Sequence, residues 1–143
     1  MSRSRTDGAR LVARWLLAAL YLVAGCFHVA TPAPFLRIMP AAVPFPEHVI
    51  FWTGVAEIAG SLALLQPWST ALRRAAGIAL ALYALCVWPA NINHFAMDMR
   101  KPDHGWGLGY HVPRMLAQPL LIWLALWGAG VIGWPLRSRE SKD

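Results

Sequence analysis

The chain has 143 residues, a formal net charge of +6, 57% hydrophobic residues and 14% charged ones. That charged fraction lies well below the roughly 25% of a soluble domain. Its thirteen Lys and Arg are scattered through short ends and loops, a distribution that excludes a nucleic-acid surface and fits anionic lipid headgroups instead.

In chain order, residues 1–10 read as a basic cytoplasmic arm, 11–134 as one membrane domain with spans at about 11–30, 49–66, 71–89 and 115–134, and 135–143 as a cytoplasmic tail. Such segments approach the roughly 20 apolar residues that cross about 30 Å of hydrocarbon. The fold expected is therefore all-α, a transmembrane four-helix bundle. An Arg-rich start followed by an apolar run imitates a signal peptide, but the run is too long and no small-x-small cleavage site follows, so the first span is expected to be retained. Arg14, one turn in, is expected to snorkel to the interface. Tyr21, Gly25 and His28 share one face of this span.

Thr31 to His48 holds five prolines, which forbid a span and make a stiff outer cap with one short amphipathic turn over Phe35 to Met39. Pro46 and Glu47 then suit a first helical turn. The second span places Thr53, Glu57 and Ser61 on one face, with Gly54, Ala56 and Gly60 offering close approach to neighbours. Its short connection at Gln66 to Thr70, with Ser69 or Thr70 as N-cap, requires an antiparallel pairing with the third span. Pro89 is expected to kink that span or end it nearby, and Asp98 to Pro113 to form a glycine-rich loop. The fourth span starts near Met115, with Gln118 and Pro119 in its first turns. Cys26 and Cys86 form no CxxC motif and are expected to pack as apolar residues; a thiol pair is the competing reading.

With both termini and the second connection on one side, that side holds nine of the thirteen Lys and Arg, which predicts an N-in, C-in topology. The outer half then receives one hydrogen-bonding side chain from each span: His28, Glu57, Asn91 and Gln118. An ionised carboxylate isolated in hydrocarbon is costly, so Glu57 is expected to face inward, with His28 as its partner. The pair either anchors packing or lines a ligand pocket; on the second reading Glu57 and His28 are the candidate catalytic groups and all four residues bind the ligand. Asn91, Asn93 and His94 also suit a purely structural role around Pro89. His48, His104 and His111 read as surface residues. His94, Met97 and Asp98 would share a helical face, but no dense metal motif is present and no metal site is assigned.

The stretches GCFHVATPAPFLRIMP, then FWTGVAEIAG, then WPANINH and RMLAQPLLIWLALW resemble the DoxX-like family of small bacterial membrane proteins. His28, Pro40, Gly54, Glu57, Pro89, Asn91, Arg114 and Gln118 match its pattern, and the resemblance extends from Gly25 to Trp127; Val29 and Leu116 depart from the usual Phe and Pro. It implies a four-helix bundle in the bacterial cytoplasmic membrane, where relatives include a subunit of a thiosulfate:quinone oxidoreductase and membrane partners in oxidoreductase assemblies. The expected function is a membrane module that binds a small apolar or quinone-like ligand, a quinone being the cofactor to test, and supports a redox reaction with partner subunits. Competing readings are a noncatalytic scaffold, recruiting subunits through Gly128, Gly130 and Gly133, and a small transporter, which requires a homo-oligomer because four short spans hold no continuous polar stripe.

Overall fold

The computed structural model describes residues 3–134, with side chains of the first helix from Arg5 onward; the expected tail at 135–143 and the first two residues of the basic arm lie outside the described residues. Five helices follow one another, with no strand among the described residues: α1 Arg3–Ala30, α2 Ala33–Ile38, α3 Pro46–Leu65, α4 Thr70–Met99 and α5 Gly107–Gly128. Three of them, α1, α3 and α4, are long and apolar enough to cross a membrane, which marks the chain as a membrane protein.

The four long helices close on one another: α1 packs on α3 and α5, α3 on α4, and α4 on α5, while the short α2 lies against α3 and α4. Leu17, Tyr21, Leu64, Leu80 and Ala125 meet at the centre, with Ala76, Ala81 and Ala129 keeping the axes close. Most large apolar side chains instead point outward, among them Leu16, Leu62 and Leu82. That outward apolar surface is what a helix set solvated by lipid presents, because lipid tails are as apolar as leucine.

The connection between α3 and α4 is tied by Gln66, whose side chain accepts from the Ser69 N–H at 2.8 Å and donates to the Ser69 carbonyl at 2.7 Å. Ser69 is the N-cap of α4, its hydroxyl accepting from the Leu72 N–H at 3.1 Å.

Several helix ends differ from the expected span bounds. Helix α1 starts at Arg3, within the residues expected as the basic arm. Arg14 reaches the end of α5, its Nη1 pointing to the Gly128 carbonyl at 3.5 Å. Pro89 does not end α4, which continues ten residues further to Met99. A proline removes one ladder N–H, and here the turns beyond it are held by contacts with α2 and α5. The expected glycine-rich loop shrinks, because α5 starts at Gly107 and not near Met115. The expected fourth span also stops short of Trp134. At Gly130, with φ of 77°, the Gly130 N–H bonds the Trp127 carbonyl and the Val131 N–H bonds the Leu126 carbonyl, a pairing that closes a helix on a left-handed residue. Only 115–128 of that expected span is helical. Cys26 and Cys86 are free and exposed, so neither is buried in the core, and Cys86 lines the cavity described below.

Candidate functional site

The site begins at the crossing of α1 and α3. A Cβ built on Gly25 would lie 2.7 Å from the Gly54 carbonyl oxygen, and one built on Gly54 would lie 2.9 Å from that of Gly25. Two backbones this close leave no room for side chains at either position. One helical turn further along each chain stand His28 and Glu57, three residues beyond their glycines, and their Nδ1 and Oε2 atoms are 2.5 Å apart. The glycine contact therefore sets the distance of the pair. Glu57 is 3% exposed, so the imidazole supplies the partner that a buried carboxylate requires.

The pair opens on a cavity of about 420 Å³, a size typical of small-molecule sites. Asn91 from α4 and Gln118 from α5 line the same cavity, so the structure brings together all four side chains expected from the sequence. Most other lining groups are apolar, including Leu20, Ile50 and Leu121. Tyr21 and Tyr83 pack edge to face at 6.0 Å and line the wall as well, and Tyr83 stands beside Glu57 and Thr53. Two buried polar atoms of the lining, the Tyr21 hydroxyl and Gln118 Oε1, have no hydrogen-bond partner among the described residues. Helix α2 roofs the cavity: the Phe35 ring packs tilted against His28 with ring centroids 4.0 Å apart, and Asn93 Nδ2 donates to the Ile38 carbonyl at 2.9 Å. Asn93 thus fastens the roof to α4.

A second polar cluster lies at the C-terminal end of α4, a helix that at about 45 Å is longer than the roughly 30 Å a span must cross. Asp98 there is fully buried and tied on both oxygens. Lys101 Nζ donates to Oδ1 at 2.6 Å, while the Trp106 N–H at 3.1 Å and His111 Nε2 at 3.0 Å meet Oδ2. Hydrogen bonds from Lys101, His111 and the Trp106 N–H hold the Asp98 carboxyl well below the usual carboxylate range. His94 Nε2 lies 3.5 Å from the same carboxylate, and Arg114 Nη1 donates to His94 Nδ1 at 2.9 Å. A guanidinium only donates, so Nδ1 is the acceptor and the ring proton sits on Nε2, facing Asp98. Burial pushes the His94 imidazole down from its usual range, which agrees with this neutral form. Arg114 also lines the cavity, so it bridges the two clusters.

The surface reading of His111 is corrected: this histidine is 0% exposed and joins α5 to α4. His48 and His104 are exposed, as read. The shared face of His94, Met97 and Asp98 is corrected too, since Met97 is exposed and the third member is His111, the donor atoms of His94, Asp98 and His111 lying within 4.8 Å of one another. His111 already bonds Asp98, with His94 Nε2 3.5 Å from the same carboxylate, and the cluster ties α4 to α5. Tyr83 is the residue sequence reading missed, and so is the burial of Asp98 against His111. Carrying α4 through Pro89 reveals them, because Tyr83, Val87, Asn91, His94 and Asp98 then follow at spacings of four, four, three and four, a single helical face.

A family model described as Domain of unknown function (DUF8561) matches residues 17–129. The chain belongs to the DUF8561 family. The match runs from the core residue Leu17 to Ala129 beside the end of α5, so the DUF8561 region contains the whole cavity, its roof and the Asp98 cluster. No curated protein and no solved structure matches the DUF8561 chain significantly.

Proposed function

We propose that this protein is a DoxX-like, four-span module of the bacterial cytoplasmic membrane, N-in and C-in, whose outer-half cavity binds a small apolar or quinone-like ligand and supports a redox reaction with partner subunits. The observation that carries this reading is a buried acid–imidazole pair opening on a largely apolar cavity that also presents an unpartnered amide oxygen and an unpartnered phenol. A quinone ring fits such walls, its carbonyl oxygens accepting from Tyr21 and a quinol hydroxyl donating to Gln118. Reduction of a quinone consumes two electrons and two protons. A partner oxidoreductase supplies the electrons. His28 and Glu57 hand on protons through their shared hydrogen bond, Nδ1 serving Glu57 and leaving Nε2 for the ligand side. Asn91 and Gln118 orient the ring.

The test is binding of a short-chain benzoquinone and a short-chain naphthoquinone to purified protein, followed by tryptophan quenching. Wild type is expected to bind one of them, and Glu57→Gln or His28→Ala to weaken binding about tenfold or more, the scale of a lost hydrogen bond to a charged group. Failure of wild type to bind either quinone, or both variants binding like wild type, removes the reading.

A further inference from the structure

At the end of the helix set opposite the cavity, a pocket of about 320 Å³ opens between the N-terminal turns of α1 and α4 and the C-terminal end of α5. Four arginines line it, Arg10 and Arg14 from α1 and Arg73 and Arg74 from α4, against a single carboxylate, Asp7. Asp7 makes no ion pair with them among the described residues.

Three of the arginines are held by neutral groups. Arg10 Nη2 donates to the Ile132 carbonyl at 3.1 Å, and its guanidinium lies over the Trp127 ring at 5.6 Å. Arg14 Nη1 points to the Gly128 carbonyl, and Arg73 Nη2 donates to Thr70 Oγ1 at 3.3 Å. These contacts fix the side chains and leave their charge uncompensated. The Nε atoms of Arg10 and Arg73 are buried without a hydrogen-bond partner among the described residues, and an orphaned buried donor is costly. Arg73 also stands at the end of the first turn of α4, with Arg74 next to it, where the helix dipole already favours an anion and opposes a cation. Dispersed arginines would orient the chain equally well. Convergence of four like charges on one pocket, with two unused donors, calls for a negative ligand.

We propose that this pocket binds a phosphate-bearing anion. Guanidinium forks match phosphate oxygens in geometry and charge. Two sources offer that group, the headgroup of an anionic phospholipid and a soluble phosphate compound. Trp68 and Trp134, 80% and 73% exposed at the same end, place the pocket at headgroup level. This assignment depends neither on the cavity's ligand nor on which side of the membrane the pocket faces.

The experiment uses full-length protein stripped of lipid in neutral detergent. One arm measures binding of inorganic phosphate by thermal shift. The other measures retention of phosphatidylglycerol or phosphatidate over phosphatidylcholine by native mass spectrometry. Preferential retention of the anionic lipids assigns a headgroup, and phosphate binding without lipid assigns a soluble source. In either arm Arg73→Gln and Arg74→Gln should weaken binding about fivefold per arginine removed. Asp7→Asn, at an exposed position that does not risk the fold, should strengthen it. The matched-charge control Arg37→Gln with Arg100→Gln, outside the pocket, should change nothing. No preference in either arm overturns the proposal, and so does a control that weakens binding as much as the pocket variants.

Discussion

Glu57 and His28 hold each other in a setting where neither is easily replaced, and the two replacements are not equivalent. His28→Ala leaves a carboxylate 3% exposed with its closest partner gone, and orphaning one member of a buried pair costs about 3–5 kcal/mol. Glu57→Gln keeps a hydrogen-bonding group opposite the ring and removes the charge. Thermal unfolding in detergent should therefore show His28→Ala falling much further than Glu57→Gln; the reverse order would mean that the pair is not what stabilises this crossing. Asp98 carries a pH dependence of definite sign. Its folded carboxyl lies below the ordinary value of about 3.9, so the stability it contributes is complete above that value and is lost as pH falls through the folded one. Asp98→Asn is expected to lower the melting temperature at neutral pH and to flatten its decline below about pH 4 relative to wild type, as a melting series in pH would show.

At the scale of the element, the α1–α3 crossing converts two glycines into a distance between two functional groups. Gly25→Ala places a methyl against the Gly54 carbonyl and the Ile58 side chain, at 2.7 and 2.9 Å, and a backbone oxygen cannot swing aside. Overpacking of this kind costs about 1–3 kcal/mol. The helices should separate, and the coupling between His28 and Glu57, read by a double-mutant cycle, should be smaller in the Gly25→Ala background than in wild type. An unchanged coupling would show that the glycine contact does not set the pair's distance. This part of the site was legible in the sequence because an acid inside an apolar helix demands a partner, and His28 lies at matching depth on the neighbouring helix. The Asp98 cluster was not legible for an equally definite reason. Its members meet only if α4 runs on past Pro89 and α5 begins at Gly107, and both steps go against local preference, a proline inside one helix and glycines at the start of the other. Tertiary contact with α2 and α5 decides the outcome there, and the spacing of Asn91, His94 and Asp98 becomes readable as one face only once the helix is carried past Pro89.

For the molecule as a whole, the two polar regions lie at opposite ends of the helix set, and that separation makes the topology testable. The arginine pocket gathers the starts of α1 and α4 and the end of α5, whereas the His28–Glu57 cavity lies toward the end of α1 and the starts of α3 and α5. Positive charge favours the cytoplasmic side, and the excess of Lys and Arg stands at the pocket end. An N-in, C-in arrangement therefore puts the α3–α4 turn inside and the α4–α5 loop outside. Trp68 in that turn is 80% exposed, and Asp103 in that loop is exposed as well, so a cysteine at either position is open to reagent. In a background carrying Cys26→Ala and Cys86→Ala, which removes both native thiols, a membrane-impermeant maleimide applied to intact cells should label Asp103→Cys and leave Trp68→Cys unlabelled until the membrane is opened. Labelling of Trp68→Cys alone in intact cells would invert the molecule, and labelling of both before permeabilisation would show that the helices between them do not separate the two sides. Either result would count against the proposed outer-half placement of the cavity, because its depth follows from the same three helices, α1, α3 and α4, that fix the positions of the turn and the loop.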